Sequence, residues 1–240
     1  MDVLDDKTAK RFVVEHHYSG SFPAARLNVG LLGTRGRLEG VATFSVPMNN
    51  AGVPKYTGFV PNAGCELGRF VCLPDVRYNG ETWFLARAFE LLRSEKQEIR
   101  GTISYADPLE RKDGQLVVKP AHYGTIYQAS NALFIGRSKA RTLLYAPNGK
   151  LVSERSLSKV RGEERGWQYA SRQLIDAGLP ERVTGESLEE WVNRIVPMLR
   201  RVKHPGNLTY VFGVDRAARE QIAALHNGGL PYPKKMKEVA

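Results

Sequence analysis

The sequence contains 240 residues, of which 42% are hydrophobic and 25% are charged, as is usual for a globular protein. This composition excludes a largely disordered chain, and two cysteines exclude a disulfide framework. The net charge of +10 favours a polyanionic partner, because each Lys or Arg that neutralises a phosphate releases a condensed counterion. The sequence shows neither an apolar run of transmembrane length nor a secretory signal, so we expect a cytoplasmic protein without a membrane partner.

The first part of the chain predicts strands and helices in the alternation typical of α/β proteins. Strands are expected at 26–32, 38–46, 65–73, 102–105, 116–118 and 132–135, and helices at 8–18, 81–96 and 124–131. The proline-containing stretch 47–64 is expected to be a long loop, and loops of this length are often lids or binding segments.

Beyond residue 136 the chain becomes more basic. Between Arg137 and Lys203 there are fourteen Lys or Arg residues against eight Asp or Glu residues. A helix is expected at 188–202, capped by Ser187 and interrupted at Pro197, and it is followed by a strand at 208–214 and a helix at 216–226. We therefore expect a catalytic core at residues 1–136 and a basic C-terminal elaboration at 137–240, packed on the same domain and contacting DNA.

A candidate anion-binding loop connects the strand at 65–73 to the helix at 81–96. Its residues are Arg77, Tyr78, Asn79, Gly80, Glu81 and Thr82. A helix N-terminus offers unpaired N–H groups to a pyrophosphate, Gly80 permits close approach, and Arg77 adds a charged donor. The pattern resembles the Q/R-x-x-G-x-G/A motif with which GNAT acyltransferases hold coenzyme A, although Thr82 occupies a position where Gly or Ala is usual. An ordinary strand-to-helix turn explains Gly80 equally well.

Four strings, in order, carry a closer resemblance. They are H-H-Y-S-G at 16–20, L-G-R-F-V at 67–71, I-S-Y-A-D at 103–107 and G-T-I-Y-Q-A-S-N at 124–131. Together they resemble the bacteriophage Mu Mom family of DNA-modification proteins. The resemblance implies a GNAT-like mixed central sheet flanked by helices. It also implies an enzyme that converts adenine in double-stranded DNA to N6-carbamoylmethyladenine, which shields phage DNA from host restriction.

The same strings supply the candidate site residues. Those predicted to be catalytic are His17, Tyr18, Arg69, Ser104, Asp107 and Tyr127, and those predicted to bind the cofactor are Val71 and the six loop residues Arg77 to Thr82. His17 is interpreted as a base beside the hydrogen-bond donor Tyr18, and Tyr127 as the acid for a departing thiolate. A structural Arg69–Asp107 salt bridge and a Tyr127 ring packed on the sheet are the alternatives.

The donor and the DNA contacts are the remaining expectations. Acetyl transfer alone would leave an N6-acetyl amide rather than a carbamoylmethyl group, so the donor is acetyl-CoA, another acyl donor or a different small molecule such as a glycine derivative. No metal site is assigned. Because adenine N6 is buried in the duplex, the base must be flipped or frayed. Lys55 and Tyr56 are expected to contact the base, and Arg137, Lys139 and Arg141 the phosphates.

Two other functions fit parts of the sequence. A generic acyl-CoA N-acetyltransferase acting on a small amine or a protein would need the loop but not the surplus positive charge. A non-catalytic DNA-binding protein would need the charge but neither the H-H-Y string nor a pyrophosphate loop.

Overall fold

The computed structural model describes residues 1–113 and 115–234, which form two compact units. The first unit combines residues 1–138 with the chain from Asn207, and the second is Lys139–Gly206. The strands are β1 (Asp2–Leu4), β2 (Ala25–Leu32), β3 (Leu38–Ser45), β4 (Gly64–Cys72), β5 (Gly101–Ala106), β6 (Arg111–Asp113), β7 (Leu116–Lys119), β8 (Leu133–Arg137), β9 (Arg141–Tyr145), β10 (Leu151–Val152), β11 (Arg200–His204) and β12 (Leu208–Gly213). The helices are α1 (Asp6–His16), α2 (Gly52–Thr57), α3 (Gly80–Glu95), α4 (Thr125–Ala129), α5 (Glu154–Arg161), α6 (Trp167–Asp176), α7 (Leu188–Ile195) and α8 (Arg216–Leu225).

The first unit is built on a seven-stranded sheet of order β1-β2-β3-β4-β5-β12-β8 in the described residues. Its neighbouring strands are antiparallel except β4 and β5, which are parallel, so the sheet is mixed. Val41 and Ala42 are adjacent on β3 and face opposite sides, one packing with α1 and the other with α3. The predicted fold class, a mixed central sheet flanked by helices, is confirmed.

Local sequence explains the two main flanking helices. Asp5 caps α1 by accepting a hydrogen bond of 2.9 Å from the Thr8 amide. In α3, the buried side chains recur at helical spacing and form one apolar face. They are Phe84, Leu85, Ala88 and Leu92.

The junction between β4 and β5 is irregular in two ways. The parallel ladder contains only three residue pairs, the last being Glu66 with Ile103. On its other edge, β4 pairs Leu67 with Phe44 and Arg69 with Thr43, which leaves Gly68 as the extra residue of a β-bulge. Arg69 follows this bulge and lies on the part of β4 that has separated from β5.

The second unit consists of a three-stranded antiparallel sheet of order β10-β9-β11 with helices α5, α6 and α7. Trp191 is buried in its core and donates a hydrogen bond of 2.8 Å from Nε1 to the Pro180 carbonyl. The predicted N-cap is confirmed, since Ser187 accepts from the Glu190 amide in a reciprocal capping box. The helix expected to reach residue 202 ends earlier: Pro197 lacks an N–H group, and the chain continues as β11.

Three further features differ from the sequence expectations or extend them. The stretch 47–64 contains α2, which is anchored by the buried Val53 and ended by the left-handed Gly58. The chain after residue 206 does not continue the basic elaboration but returns to the first unit, because β12 pairs with both β5 and β8. Within the described ranges, no helix is both long and apolar enough to span a membrane.

Candidate functional site

The site begins where α1 ends. His17 is the C-cap residue, and its Nδ1 lies 2.8 Å from the Ser19 hydroxyl and accepts a hydrogen bond of 3.2 Å from the Ser19 amide. An amide donor at Nδ1 places the proton of a neutral imidazole on Nε2. The ring centroids of His17 and Tyr18 lie 4.2 Å apart, so the two aromatic side chains pack against each other at the end of the helix.

The environment of His17 disfavours the imidazolium. Burial, followed by the charges of Arg69 and His122, lowers the pKa of His17 to about 4. At neutral pH the ring is therefore an uncharged hydrogen-bond donor rather than a strong base.

Arg69 fixes the loop after α1 against the bulge of β4. Its Nε donates to the Ser21 carbonyl at 2.9 Å, one terminal nitrogen donates to the Ser21 hydroxyl at 2.8 Å, and the other donates to the Gly68 carbonyl at 2.5 Å. Arg69 forms no ion pair with any carboxylate of the described residues, so the alternative salt bridge with Asp107 is not formed. The charge of Glu66 acts on Arg69 without an ion pair between them, and a half-buried guanidinium that no carboxylate of the described residues contacts is suited to an anion or to developing negative charge.

Asp107 follows β5 and organises the β6–β7 hairpin. Its carboxylate accepts from the Leu109 amide at 3.0 Å and pairs with Arg111 and Lys119, each at 3.2 Å. Lys119 is only 2% exposed and also donates to the carbonyls of Asp107 and Leu109. The Asp107 carboxylate is thus occupied by one amide and two cations, and this geometry is suited to positioning the hairpin.

A second histidine connects this loop to α4. The amide of His122 donates to the Asp107 carbonyl at 2.9 Å, and its Nδ1 accepts from the Gly124 amide at 3.3 Å. The His122 and Tyr127 ring centroids lie 5.3 Å apart. Burial, followed by the neighbouring Tyr18, raises the pKa of Tyr127, which keeps its hydroxyl protonated.

Electrostatic interactions join five of the residues that were predicted to be catalytic into one group, which we name the catalytic cluster after that prediction. Its members are His17, Tyr18, Arg69, Asp107 and Tyr127. The pKa of Tyr18 is raised by burial and then by the Asp107 charge, and Arg69 interacts with both Tyr18 and Tyr127. Ser104 is buried opposite Tyr210 of β12, and its hydroxyl has no partner in the part of the chain that is described.

Sequence reasoning missed four residues that hold the catalytic cluster together. They are Ser21, Arg111, Lys119 and His122. The position of His122, two residues before the G-T-I-Y-Q-A-S-N string, was the one signal available. The other three carry no recognisable spacing.

The predicted anion loop leads into α3. Asn79 adopts a left-handed φ of 62° and does not cap the helix with its side chain, while the Gly80 amide donates to the Arg77 carbonyl at 2.7 Å. The Thr82 hydroxyl donates a hydrogen bond of 3.0 Å to the Asn79 carbonyl. Arg77 and Tyr78 are exposed, and the Arg77 guanidinium has no partner among the described residues. The Gly80 N–H is thus used within the loop, whereas the Arg77 guanidinium has no such contact in the described residues, and the anion-binding role of the loop stays a prediction.

Two other predicted cofactor residues have different surroundings. Val71 packs in the cluster beneath α1, so its side chain is structural, whereas its backbone lies on the part of β4 that has separated from β5. Glu81 adds a negative charge in the first turn of α3, which opposes a bound phosphate. Beside Thr82, a cavity of about 400 Å³ is lined by α3, the end of α4, the end of β12 and α8.

The predicted DNA contacts fall on both units. On α2, the ammonium of Lys55 lies 4.9 Å from the centre of the Tyr56 ring. Arg137 ends β8 in the first unit, whereas Lys139 and Arg141 begin the second, and all three are exposed. Each unit therefore contributes exposed positive charge.

The chain matches a known protein family over most of its length. The model of the Mom protein family matches residues 1–234. Among solved structures, the chain is similar to a tandem GNAT protein from the clavulanic acid biosynthesis pathway, determined without AcCoA. The identity is 10%, the TM-score is 0.42, and the similarity covers 89% of this chain and 98% of that chain. No curated protein matches. In the described residues, no group of three His, Cys, Asp or Glu side chains is placed to hold a metal ion.

Proposed function

Because the chain belongs to the Mom protein family, we propose that it converts adenine in double-stranded DNA to N6-carbamoylmethyladenine. In a phage-infected host cytoplasm, this modification would shield DNA from restriction. The observation that carries the proposal, beside the family, is the catalytic cluster around Arg69, a guanidinium with no carboxylate partner among the described residues. A transferase needs such a charge where negative charge develops.

The cluster residues take separate roles. His17, neutral and with Nε2–H free to donate, and Tyr18 orient the target base. Arg69 stabilises negative charge on the donor, and Tyr127, kept protonated by burial, donates a proton to the leaving group. Asp107 holds Lys119 and Arg111 and thereby positions the loop that carries His122.

The start of α3 and the free part of β4 are suited to a small-molecule donor. Arg77 and the amides of the first turn would bind a pyrophosphate, and the separated backbone near Val71 would accept an extended chain. When bound, acetyl-CoA or another acyl donor would supply an activated acyl carbon, and its direct transfer would leave an N6-acetyl amide. The carbamoylmethyl product instead needs a donor that bonds to N6 through a methylene and already carries the terminal amide, such as a glycine-derived group.

DNA would be bound through its phosphates and read at one extruded base. Arg137, Lys139 and Arg141 supply positive charge for the backbone, and Lys55 with Tyr56 supplies a cation and an aromatic face for the base. Extrusion is required because the N6 group is paired inside the duplex.

Mass spectrometry of nucleosides from plasmid DNA co-expressed with the protein tests the proposal. We expect N6-carbamoylmethyladenine with the wild type and its loss in His17→Ala, Tyr18→Phe and Asp107→Asn. The first two variants should keep duplex affinity and melting temperature, whereas Asp107→Asn should also lose stability because Lys119 then lacks its counter-charge. Unmodified adenine with the wild type, or acetylated small amines in its place, would contradict the proposal.

A further inference from the structure

Glu66 occupies the point at which β4 and β5 separate. It forms the last pair of the parallel ladder with Ile103, and its other neighbour across the sheet is Ser45. Its side chain is partly buried, and burial raises its pKa. Arg69 follows three residues later on the same strand, so Glu66 lies next to the catalytic cluster without belonging to it.

The Glu66 carboxylate is only partly used by the protein. One oxygen accepts a hydrogen bond of 3.1 Å from the Met48 amide, which anchors the loop after β3. The carboxylate forms no ion pair with the described residues, and its second oxygen has no hydrogen-bond partner in them. Asp107 differs in this respect, because its carboxylate forms ion pairs with both Arg111 and Lys119. A half-buried carboxylate with one partner retains the capacity to accept from a ligand.

Aromatic side chains lie on the same face of the sheet. Tyr105 Oη and the edge of the Tyr56 ring each lie 3.7 Å from the Cβ position of Gly52 in α2. Tyr105 lies two residues beyond Ile103, the partner of Glu66, so its side chain is on the same face of β5 as that of Ile103, and the charge of Glu66 contributes, after burial, to the raised pKa of Tyr105. The end of the β4–β5 ladder therefore combines two aromatic groups with one carboxylate oxygen that has no partner among the described residues.

We propose that Glu66 is the acceptor for the exocyclic amino group of a base extruded from DNA, with Tyr56 and Tyr105 as its aromatic neighbours. A carboxylate accepts hydrogen bonds from an amino group and repels a keto oxygen, so the subsite selects adenine over thymine. This inference deepens the proposed function and rests on DNA being the substrate.

Glu66→Gln is the informative variant because the amide oxygen can still accept from Met48 while the negative charge is lost. Glu95→Gln is the matched control, since Glu95 is exposed near the end of α3. Fluorescence anisotropy with single-stranded dA and dT oligonucleotides of equal length measures the ratio of the two dissociation constants for each protein. We expect Glu66→Gln to reduce the preference for dA about tenfold or more relative to wild type, because a hydrogen bond to a charged group is lost.

The dT affinity is the internal check on folding. If Glu66→Gln keeps wild-type affinity for dT and loses only the dA preference, the subsite is supported. An unchanged ratio, an equal loss of affinity for both oligonucleotides, or the same change in Glu95→Gln would overturn it.

Nucleoside mass spectrometry separates this inference from the proposed function. Modified adenine at the wild-type level in cells that express Glu66→Gln would leave the function standing and overturn the subsite. A Glu66-dependent dA preference without modified adenine from the wild type would support the subsite and contradict the proposed reaction.

Discussion

Replacing Gly124 with alanine should destabilise the first unit through a defined clash. Gly124 has a φ of +76°, and a Cβ added there would lie 2.4 Å from Cε2 and 2.6 Å from Cζ of Tyr210. Tyr210 cannot move aside easily, because its side chain is fully buried. Its hydroxyl also donates to the Tyr123 carbonyl at 2.5 Å and accepts from Gln128 at 2.9 Å.

Gly36→Ala supplies a matched control. Gly36 has a φ of +73° but no heavy atom within 4 Å of its Cβ position. Both variants carry the left-handed strain of about 1 kcal/mol, whereas overpacking of about 1–3 kcal/mol applies only to Gly124→Ala. The difference between the two variants should therefore be about 1–3 kcal/mol.

Urea denaturation followed by circular dichroism measures this difference as a lower midpoint at an unchanged m-value. Thermal melting should show it as roughly 2–4 °C per kcal/mol for a unit of this size. Since the Tyr127 and Tyr210 ring centroids are 5.4 Å apart, Gly124→Ala should also reduce adenine modification, whereas Gly36→Ala should not. Equal destabilisation by both variants would refute the clash with Tyr210.

Three further outcomes are expected. The pKa of His17 is about 4 in the folded protein against 6.5 for a free histidine side chain, so the unfolded state binds more protons between these values. Lowering the pH through this window should reduce the free energy of unfolding by about 1–2 kcal/mol after allowance for solvent screening. In melting experiments, a His17→Gln variant should lack this part of the pH-dependent loss of stability. Arg77→Glu should keep the melting temperature but weaken coenzyme A binding about tenfold in calorimetric titrations, with Lys10→Glu on α1 as an unaffected control; equal binding would exclude the pyrophosphate role. Duplex affinity should fall with salt with a log–log slope of several units, and Lys139→Glu should reduce that slope by about one; a flat dependence would contradict phosphate binding.

Local patterns were sufficient for the elements that depend on local forces. The apolar periodicity predicted α3 and the buried strands β4 and β12, and Ser187 was recognised as a cap from its position before a periodic segment. The helix α2 escaped prediction because six residues between glycines and prolines carry no periodicity, and its stability comes from burying Val53. The pairing of β12 with β8 is non-local and leaves no trace in composition.

The candidate site also combines residues that the sequence could indicate with properties that depend on non-local contacts. His17 and Arg69 were proposed as site residues through the family resemblance, because neither carries a local sequence signal. The role of Asp107 could not be predicted, because it is set by Lys119, twelve residues away and brought back by a short hairpin. The neutral state of His17 was also unpredictable, since it follows from burial and from charges on other elements.

The position of β12 between β5 and β8 has a consequence for the order of synthesis. Residues 208–213 leave the ribosome after the whole second unit. The seven-stranded sheet nevertheless needs them, because β12 connects β8 to β5. The second unit can therefore fold while the first still exposes the edges of β5 and β8, which are open to wrong pairing. When β12 pairs with β8, Ser138 and Asn207 come together and form two hydrogen bonds of 2.8 Å. The first unit is thus completed only after the second unit has been synthesised.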